Sequence, residues 1–343
     1  MWQPQIMLRY ALVLCAFFAL NVHAAKPNPA AEAKESQAWL RKIQSAAQNL
    51  NYSGTFVYQQ ASQVRTSRIA HIVEGKNEIE KLEVLDGKPR EYVRRNDEIT
   101  YYAPESKTLL VERRIIKDIF PSILTTNPGK LSSYYILRMG QSERVAGYAT
   151  KAIVLKPKDR FRYGYKLWAE RSTGLLLRVQ TTNEKGDVLE QIAFTQLAIG
   201  DVPDSKLAPS VSDTRGWRVE NTVMTQISKS NWKVKALPPG FKKVREMKRL
   251  LTNSSGSDAK GSKSAASSLS RREVSQMVFS DGLATVSVFA ETAGANRTEG
   301  AMHQGAMNIL SKRQGSFWLT IVGEVPSATI RQIANSIEFK PDK

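Results

Sequence analysis

Cysteine occurs once in the 343 residues, at position 15, and histidine only at positions 23, 71 and 303. A zinc site of the common kinds needs three or four Cys, His or carboxylate ligands. One histidine also falls short of a nucleophile–base–orienter triad. His71-Ile72-Val73-Glu74 follows a strand pattern rather than a zinc-helix spacing. Phosphate-cradling loops are missing too: Gly87-Lys88 lacks the preceding glycine of a P-loop and runs into Pro89. There is no G-x-S-x-G elbow. Ser262-Lys263-Ser264 lies in a low-complexity stretch that cannot hold catalytic geometry. Asp97-Glu98 reads as a turn. These absences point away from a hydrolase or a metal enzyme, and no cofactor or metal is expected.

Long apolar runs are equally scarce. The longest is Tyr10–Leu20, eleven residues, where a spanning helix needs about 20. Arg9 precedes it, and Val22-His23-Ala24 places small residues before Ala25. Positive, apolar, then small is the order of a secretory signal. We therefore expect residues 1–24 to be a signal peptide cleaved after Ala24, and the protein to work outside the cytoplasm. Leu14 before Cys15 does not fit a lipoprotein signal, so Cys15 belongs to the signal's apolar core. Cleavage removes 24 of 343 residues, leaving 319 with no cysteine and no intramolecular disulfide. Two domains are the prior for such a length.

What the chain has in excess is positive charge. Lys+Arg number 50 against 32 Asp+Glu, a net +18 that becomes +17 when Arg9 leaves. Such a field attracts anions. For an exported protein these are lipid phosphates, lipopolysaccharide and acidic segments of envelope proteins, not nucleic acid. Basic charge also serves solubility alone.

Pro27–Glu35 reads as a mobile start. Trp39, Ile43, Ala46, Ala47 and Leu50 then fall at helical spacing, which predicts an amphipathic helix over 36–49. Short β-rich runs follow at Tyr52–Tyr58, Arg68–Val73, Ile79–Leu85, Glu91–Arg95, Ile99–Tyr102 and Thr108–Arg113. Glu74-Gly75, Asp86-Gly87 and Asn96-Asp97 punctuate them, the signature of an antiparallel meander. The pattern resumes at Tyr134–Arg138, Thr150–Lys156, Arg162–Glu170, Leu175–Thr182 and Val188–Leu197. Between the two halves, Lys117–Ser133 carries Ile119, Phe120, Ile123 and Leu124, and is expected to form short helices over the sheet or a satellite of the core. Gly200–Asp213 lacks periodicity and reads as a linker. Further strands are expected at Trp217–Val219, Trp232–Ala236, Phe241–Leu251, Gln276–Ser280, Ala284–Ala290 and Ser316–Val322. Pro326 opens a last helix with Ile330, Ile333, Ala334 and Ile337 buried. Thr252–Ser270 is too poor in apolar residues to offset its ordering entropy and is expected to be a disordered loop.

Aromatic residues crowd the first unit, among them Tyr52, Phe56, Tyr58, Tyr101, Tyr102, Phe161, Tyr163, Tyr165 and Trp168. Each alone is first a core residue. A curved sheet rich in aromatics with a helix across it also leaves room for an acyl chain.

Several segments resemble the MucB/RseB family. They are Asn51-Tyr52-Ser53-Gly54-Thr55-Phe56-Val57-Tyr58, Tyr163-Gly164-Tyr165-Lys166-Leu167-Trp168, Gly186-Asp187-Val188-Leu189-Glu190, Leu237-Pro238-Pro239-Gly240-Phe241, Ser280-Asp281-Gly282-Leu283-Ala284 and Val322-Gly323-Glu324-Val325-Pro326. They occur in order along nearly the whole mature chain. The resemblance implies an α+β protein: a large half-open antiparallel β-barrel with helices, like the periplasmic lipoprotein carriers, at 25–200. A linker at 201–231 and a smaller α+β domain at 232–343, with its loop at 252–270, would follow. It implies a periplasmic regulator of the envelope-stress response that binds the periplasmic segment of a single-span anti-sigma factor. Bound there, it would shield that segment from proteolysis until lipopolysaccharide or mislocalised lipoprotein releases it. The acyl chains would lie against Phe56, Tyr58, Tyr101, Phe120, Ile123, Leu124, Tyr165 and Trp168. A lipid or lipoprotein carrier is the alternative, and a homo-oligomer is left open.

Overall fold

The structure is a computed structural model that describes residues 28–113, 128–222, 224–226, 231–252, 271–294 and 297–340. The expected signal peptide, Phe120, Ile123 and Leu124, and residues 253–270 of the expected loop lie outside the described residues.

Helix α1 (Pro29–Asn49) begins earlier than its hydrophobic spacing suggests. Pro29 sits at its first position and the Asn28 side chain accepts from the Ala30 N–H. Proline loses nothing there and asparagine satisfies an orphan donor. The expected mobile start is thus helix, tied down by the Met139 N–H donating to Glu32 at 2.9 Å. Ser36, Leu40, Ile43, Ala46 and Ala47 form the buried stripe. Burying Leu40 and Ile43 contributes about 1.5–3 kcal/mol each.

The first sheet starts as a meander. Its strands are β1 (Tyr52–Gln60), β2 (Gln63–Glu74), β3 (Asn77–Val84), β4 (Arg90–Arg95), β5 (Glu98–Ala103) and β6 (Thr108–Arg113). A second meander comprises β7 (Tyr135–Gly140), β8 (Arg144–Val145), β9 (Tyr148–Pro157), β10 (Gly164–Glu170), β11 (Leu176–Thr182) and β12 (Val188–Ile199). Antiparallel pairing of β1 with β12, from Tyr52↔Ile199 to Gln60↔Glu190, fuses the two into one sheet. β13 (Arg218–Thr222) joins in parallel beside β6 and completes the 13 strands. The edges β13 and β7 stay unpaired with each other, so the sheet does not close into a barrel among the described residues. Helix α1 packs on β7, and its Leu40 and Ile43 join Leu137, Ile153, Leu155, Tyr165 and Leu167 in one core. Tyr52, Phe56, Trp168 and Phe194 belong to a second core. Strand alternation sends Leu167 to one core and Trp168 to the other.

Residues 201–222 run along the first sheet. Leu207 is buried against Ala70 and Ile72. Lys81 donates to the Ala208 carbonyl at 2.6 Å, and the Ser210 N–H donates to Glu91 at 3.1 Å.

The second sheet has seven strands. They are β14 (Met224–Gln226), β16 (Lys242–Thr252), β17 (Arg271–Ser280), β18 (Thr285–Thr292), β19 (Gly300–Gln304), β20 (Met307–Gln314) and β21 (Phe317–Gly323). A small pair is made by β15 (Trp232–Val234) and β22 (Ile337–Phe339). Helix α2 (Ser327–Ser336) buries Ile330, Ile333 and Ala334 against it, with Trp232, Phe241, Val286, Leu319 and Ile321 in the same core. Among the described residues the fold is therefore mostly β, with two α-helices, two large sheets and the small β15–β22 pair.

Candidate functional site

The two sheets meet on a buried ion pair that no local pattern in the sequence announces. Arg162, two residues before β10, and Asp281, in the turn between β17 and β18, both have fully buried side chains and lie 2.7 Å apart. Each Arg162 nitrogen has a partner: Nε donates to Asp159 at 3.0 Å, Nη1 to Asp281, and Nη2 to the Pro239 carbonyl at 2.5 Å. The guanidinium also lies 4.7 Å from the Tyr134 ring and 5.6 Å from those of Tyr135 and Phe241. Asp281 Oδ1 meanwhile accepts the N–H groups of Leu283 and Ala284. Two desolvated charges survive only when every donor and acceptor is met, and that is nearly achieved here. Gly240, at φ +83°, completes the contact: a Cβ there would come within 2.6 Å of the Tyr134 ring.

Further bonds cross the same junction. Thr329 Oγ1 donates to the Phe161 carbonyl at 2.5 Å, Asn308 Nδ2 to Tyr163 Oη at 3.1 Å, and Gln60 Nε2 to the Gln304 carbonyl at 3.0 Å. Beside them opens a cavity of about 440 Å³. Tyr165, Val179, Thr181, Glu190 and Ile192 line it from the first sheet. Leu283, Met307, Val322 and Glu324 are among those lining it from the second. Volumes of this size hold small ligands or single anchoring side chains.

Two carboxylates share this cavity. Glu190 is buried and accepts from Tyr58 Oη at 3.0 Å and Thr181 Oγ1 at 3.1 Å. Glu324, one residue past β21, is exposed and lines the cavity. Burial, and then the negative charge of Glu190, push its carboxyl up to about 7. The Tyr58 phenol is held above its ordinary value by burial and by Glu190. Burial does the same to Tyr165.

Of the residues expected to hold an acyl chain, the five that are described do not converge on one place. Tyr165 lines the cavity, and Tyr58 adjoins it through Glu190. Phe56 and Trp168 sit in a closed aromatic core, where Phe56 meets Phe194 edge-on at 5.9 Å and Arg178 stacks 3.8 Å over Trp168. Tyr101 packs on Tyr92 across β4 and β5, at 4.9 Å. His71 is a core histidine, its ring nitrogens facing the Leu50 carbonyl at 2.8 Å and Glu78 at 3.2 Å. Arg162, Asp281, Glu190 and Glu324 were not singled out from the sequence, although three of them lie within the recognisable segments quoted above.

Comparison with known proteins follows the same division. The family model described as the MucB/RseB N-terminal domain matches residues 35–211, and that of the MucB/RseB C-terminal domain matches 226–338. The chain is 31% identical over 317 residues to the sigma factor AlgU regulatory protein MucB of Pseudomonas aeruginosa, covering 90% of this chain and 92% of that one. It is 28% identical over 320 residues to the sigma-E factor regulatory protein RseB of Haemophilus influenzae, covering 90% and 93%. A crystal structure of MucB in complex with MucA(peri) aligns with a TM-score of 0.65 at 28% identity, over 90% of this chain and 100% of that one.

Proposed function

The chain belongs to the MucB/RseB family, and from that membership we propose that it is a periplasmic negative regulator of the envelope-stress response that binds the periplasmic segment of a membrane anti-sigma factor. One observation carries the reading: the MucB structure that aligns over 90% of this chain holds MucA(peri) as its partner. The pinned junction of two sheets suits the task, since a preorganised surface limits the ordering cost of gripping an extended segment. A segment that orders on binding gives up part of its interaction energy, which keeps the complex reversible.

Bound in this way, the protein shields the segment from regulatory proteolysis. Lipopolysaccharide or mislocalised lipoprotein releases it, provided the amphiphile binds the free regulator better than the complex, because only differential affinity shifts an equilibrium. The first domain, 25–200, is read as a half-open barrel whose curved sheet takes the acyl chain. Residues 201–231 connect it to the second domain, 232–343. The reading is of a binding protein rather than an enzyme, supported by the regulatory proteins RseB and MucB it is similar to. Export follows from residues 1–24 acting as a cleaved signal.

The test is retention of the anti-sigma periplasmic segment on the immobilised protein, with and without lipopolysaccharide. Retention that lipopolysaccharide abolishes supports the proposal. No retention in either condition refutes it.

A further inference from the structure

The cavity between the sheets has a polarity that runs against the rest of the molecule. The chain carries 50 Lys+Arg and a net +18. Yet among the described residues no lysine, arginine or histidine lines this cavity, and its charged groups are Glu190 and Glu324. The remaining wall is largely apolar: Val179 and Ile192 from one sheet, Leu283, Met307 and Val322 from the other. Glu190 is already engaged by Tyr58 and Thr181. Glu324 has no hydrogen bond or ion pair among the described residues, and its position is fixed by close packing of the preceding Gly323. A Cβ on that glycine would come within 2.5 Å of the Thr285 carbonyl.

A largely apolar cavity with two carboxylates in its lining is complementary to one kind of group: a cation on a hydrocarbon stem. Lysine and arginine side chains are such groups, able to bury their methylenes while presenting charge at the tip. Building on the anti-sigma reading, we propose that this cavity seats one lysine or arginine side chain of the partner segment, its stem against Leu283, Met307 and Val322 and its charge between Glu190 and Glu324. The two carboxylates come from different sheets, so the inserted side chain bridges them and fixes the partner's register. Elsewhere the positive field of the protein opposes a basic residue, so the cavity discriminates one position of the segment from others. Arrival of the cation favours the ionised form of Glu324, whose carboxyl is otherwise pushed up to about 7, so binding at pH 6.5 releases a proton.

The experiment is calorimetric titration of the chain from Ala25 onward with the anti-sigma periplasmic segment. It is run at pH 6.5 in two buffers of different ionisation enthalpy. The segment carries each lysine and arginine replaced in turn by methionine, and the protein is wild type or Glu324→Gln. One basic position is expected to lose at least tenfold in affinity toward the wild type and twofold or less toward E324Q. Proton release is expected with the wild type and absent with E324Q. Equal affinity of wild type and E324Q, with no basic position coupled to Glu324, overturns the proposal. If the segment does not bind at all, the family-based reading fails on its own, and n-hexylamine against 1-hexanol decides the cavity. Stabilisation of the wild type but not E324Q by the amine alone supports a cation seat. Equal effects of amine and alcohol overturn it.

Discussion

Replacing Arg162 by methionine should separate the behaviour of the two sheets. The substitution keeps an unbranched apolar stem among Tyr134, Tyr135 and Phe241 but removes three donated hydrogen bonds. Asp159 is partly exposed and recovers water at little cost. Asp281 is not: its side chain is fully buried, and its Oδ2 keeps only a long contact to Tyr135 Oη at 3.4 Å. Leaving one member of a buried pair without its partner costs about 3–5 kcal/mol. The Pro239 carbonyl, stripped of its donor, adds about 1 kcal/mol. The sum, about 4–6 kcal/mol, is a large share of the 5–15 kcal/mol typical of a folded protein. Urea unfolding is the assay, with tryptophan fluorescence reporting Trp168 in the first sheet, Trp318 in the second, and Trp232 in the core packed against the second. R162M should unfold at lower urea and in two steps, because the bonds lost to Asp281 and Pro239 are among those that couple the sheets. Asp281→Asn added to R162M should recover about 2 kcal/mol by removing the orphaned charge. A loss under about 1 kcal/mol for R162M, or additive effects of the two changes, would refute the reasoning.

Four further outcomes can be checked. The Glu324 carboxyl is raised from 4.5 to about 7, so its contribution to stability is complete below about 4.5 and is lost as pH rises through 7. The midpoint of urea unfolding should fall between pH 5 and 8, and Glu324→Gln should flatten that slope. Glu78 moves the opposite way: the hydrogen bond from His71, then that from Arg94, holds its carboxyl well below the usual range. Its stabilisation is present above the ordinary carboxylate value and lost as pH falls through the folded one. Glu78→Gln should cost about 1–3 kcal/mol at pH 7, because buried Arg94 then keeps only the Glu80 carboxylate at 3.3 Å, and should weaken the acid dependence measured by circular dichroism. Gly240→Ala should cost about 2–3 kcal/mol, since it forces an L-residue to φ +83° and drives a Cβ into the Tyr134 ring. Leu40→Ala should cost about 2–5 kcal/mol and expose α1 to limited proteolysis, because Leu40 is wholly buried in the first core.

Local chemistry made much of the fold legible. Apart from the two-residue β8, the strands of both meanders were visible because β-branched runs alternate with turns such as Glu74-Gly75, where Gly75 adopts φ +61°. Helix α2 was visible from Pro326 and the spacing of Ile330, Ile333 and Ala334. The hairpin β19–β20 was not. All five residues of β19 are exposed, so no buried alternation marks the strand. The start of α1 was missed because its first turn docks through Glu32 and the Met139 backbone rather than through apolar residues. The junction was the least legible part. Arg162 and Asp281 lie 119 residues apart, and a charge that will be buried has the same spelling as one that will be solvated. Glu190 and Glu324 likewise become neighbours only when the second sheet closes over the first. The aromatic residues were found, but pattern alone could not separate Tyr165, which faces the cavity, from Phe56 and Trp168, which fill a core.

The central claim is that this chain grips the periplasmic segment of an anti-sigma factor. Its most direct test is calorimetric titration of that segment into the protein from Ala25 onward, repeated with lipopolysaccharide present. The account predicts saturable binding with one site per protein chain, and loss of affinity as lipopolysaccharide is added. Absence of binding heat together with failure of the two proteins to co-elute would contradict it.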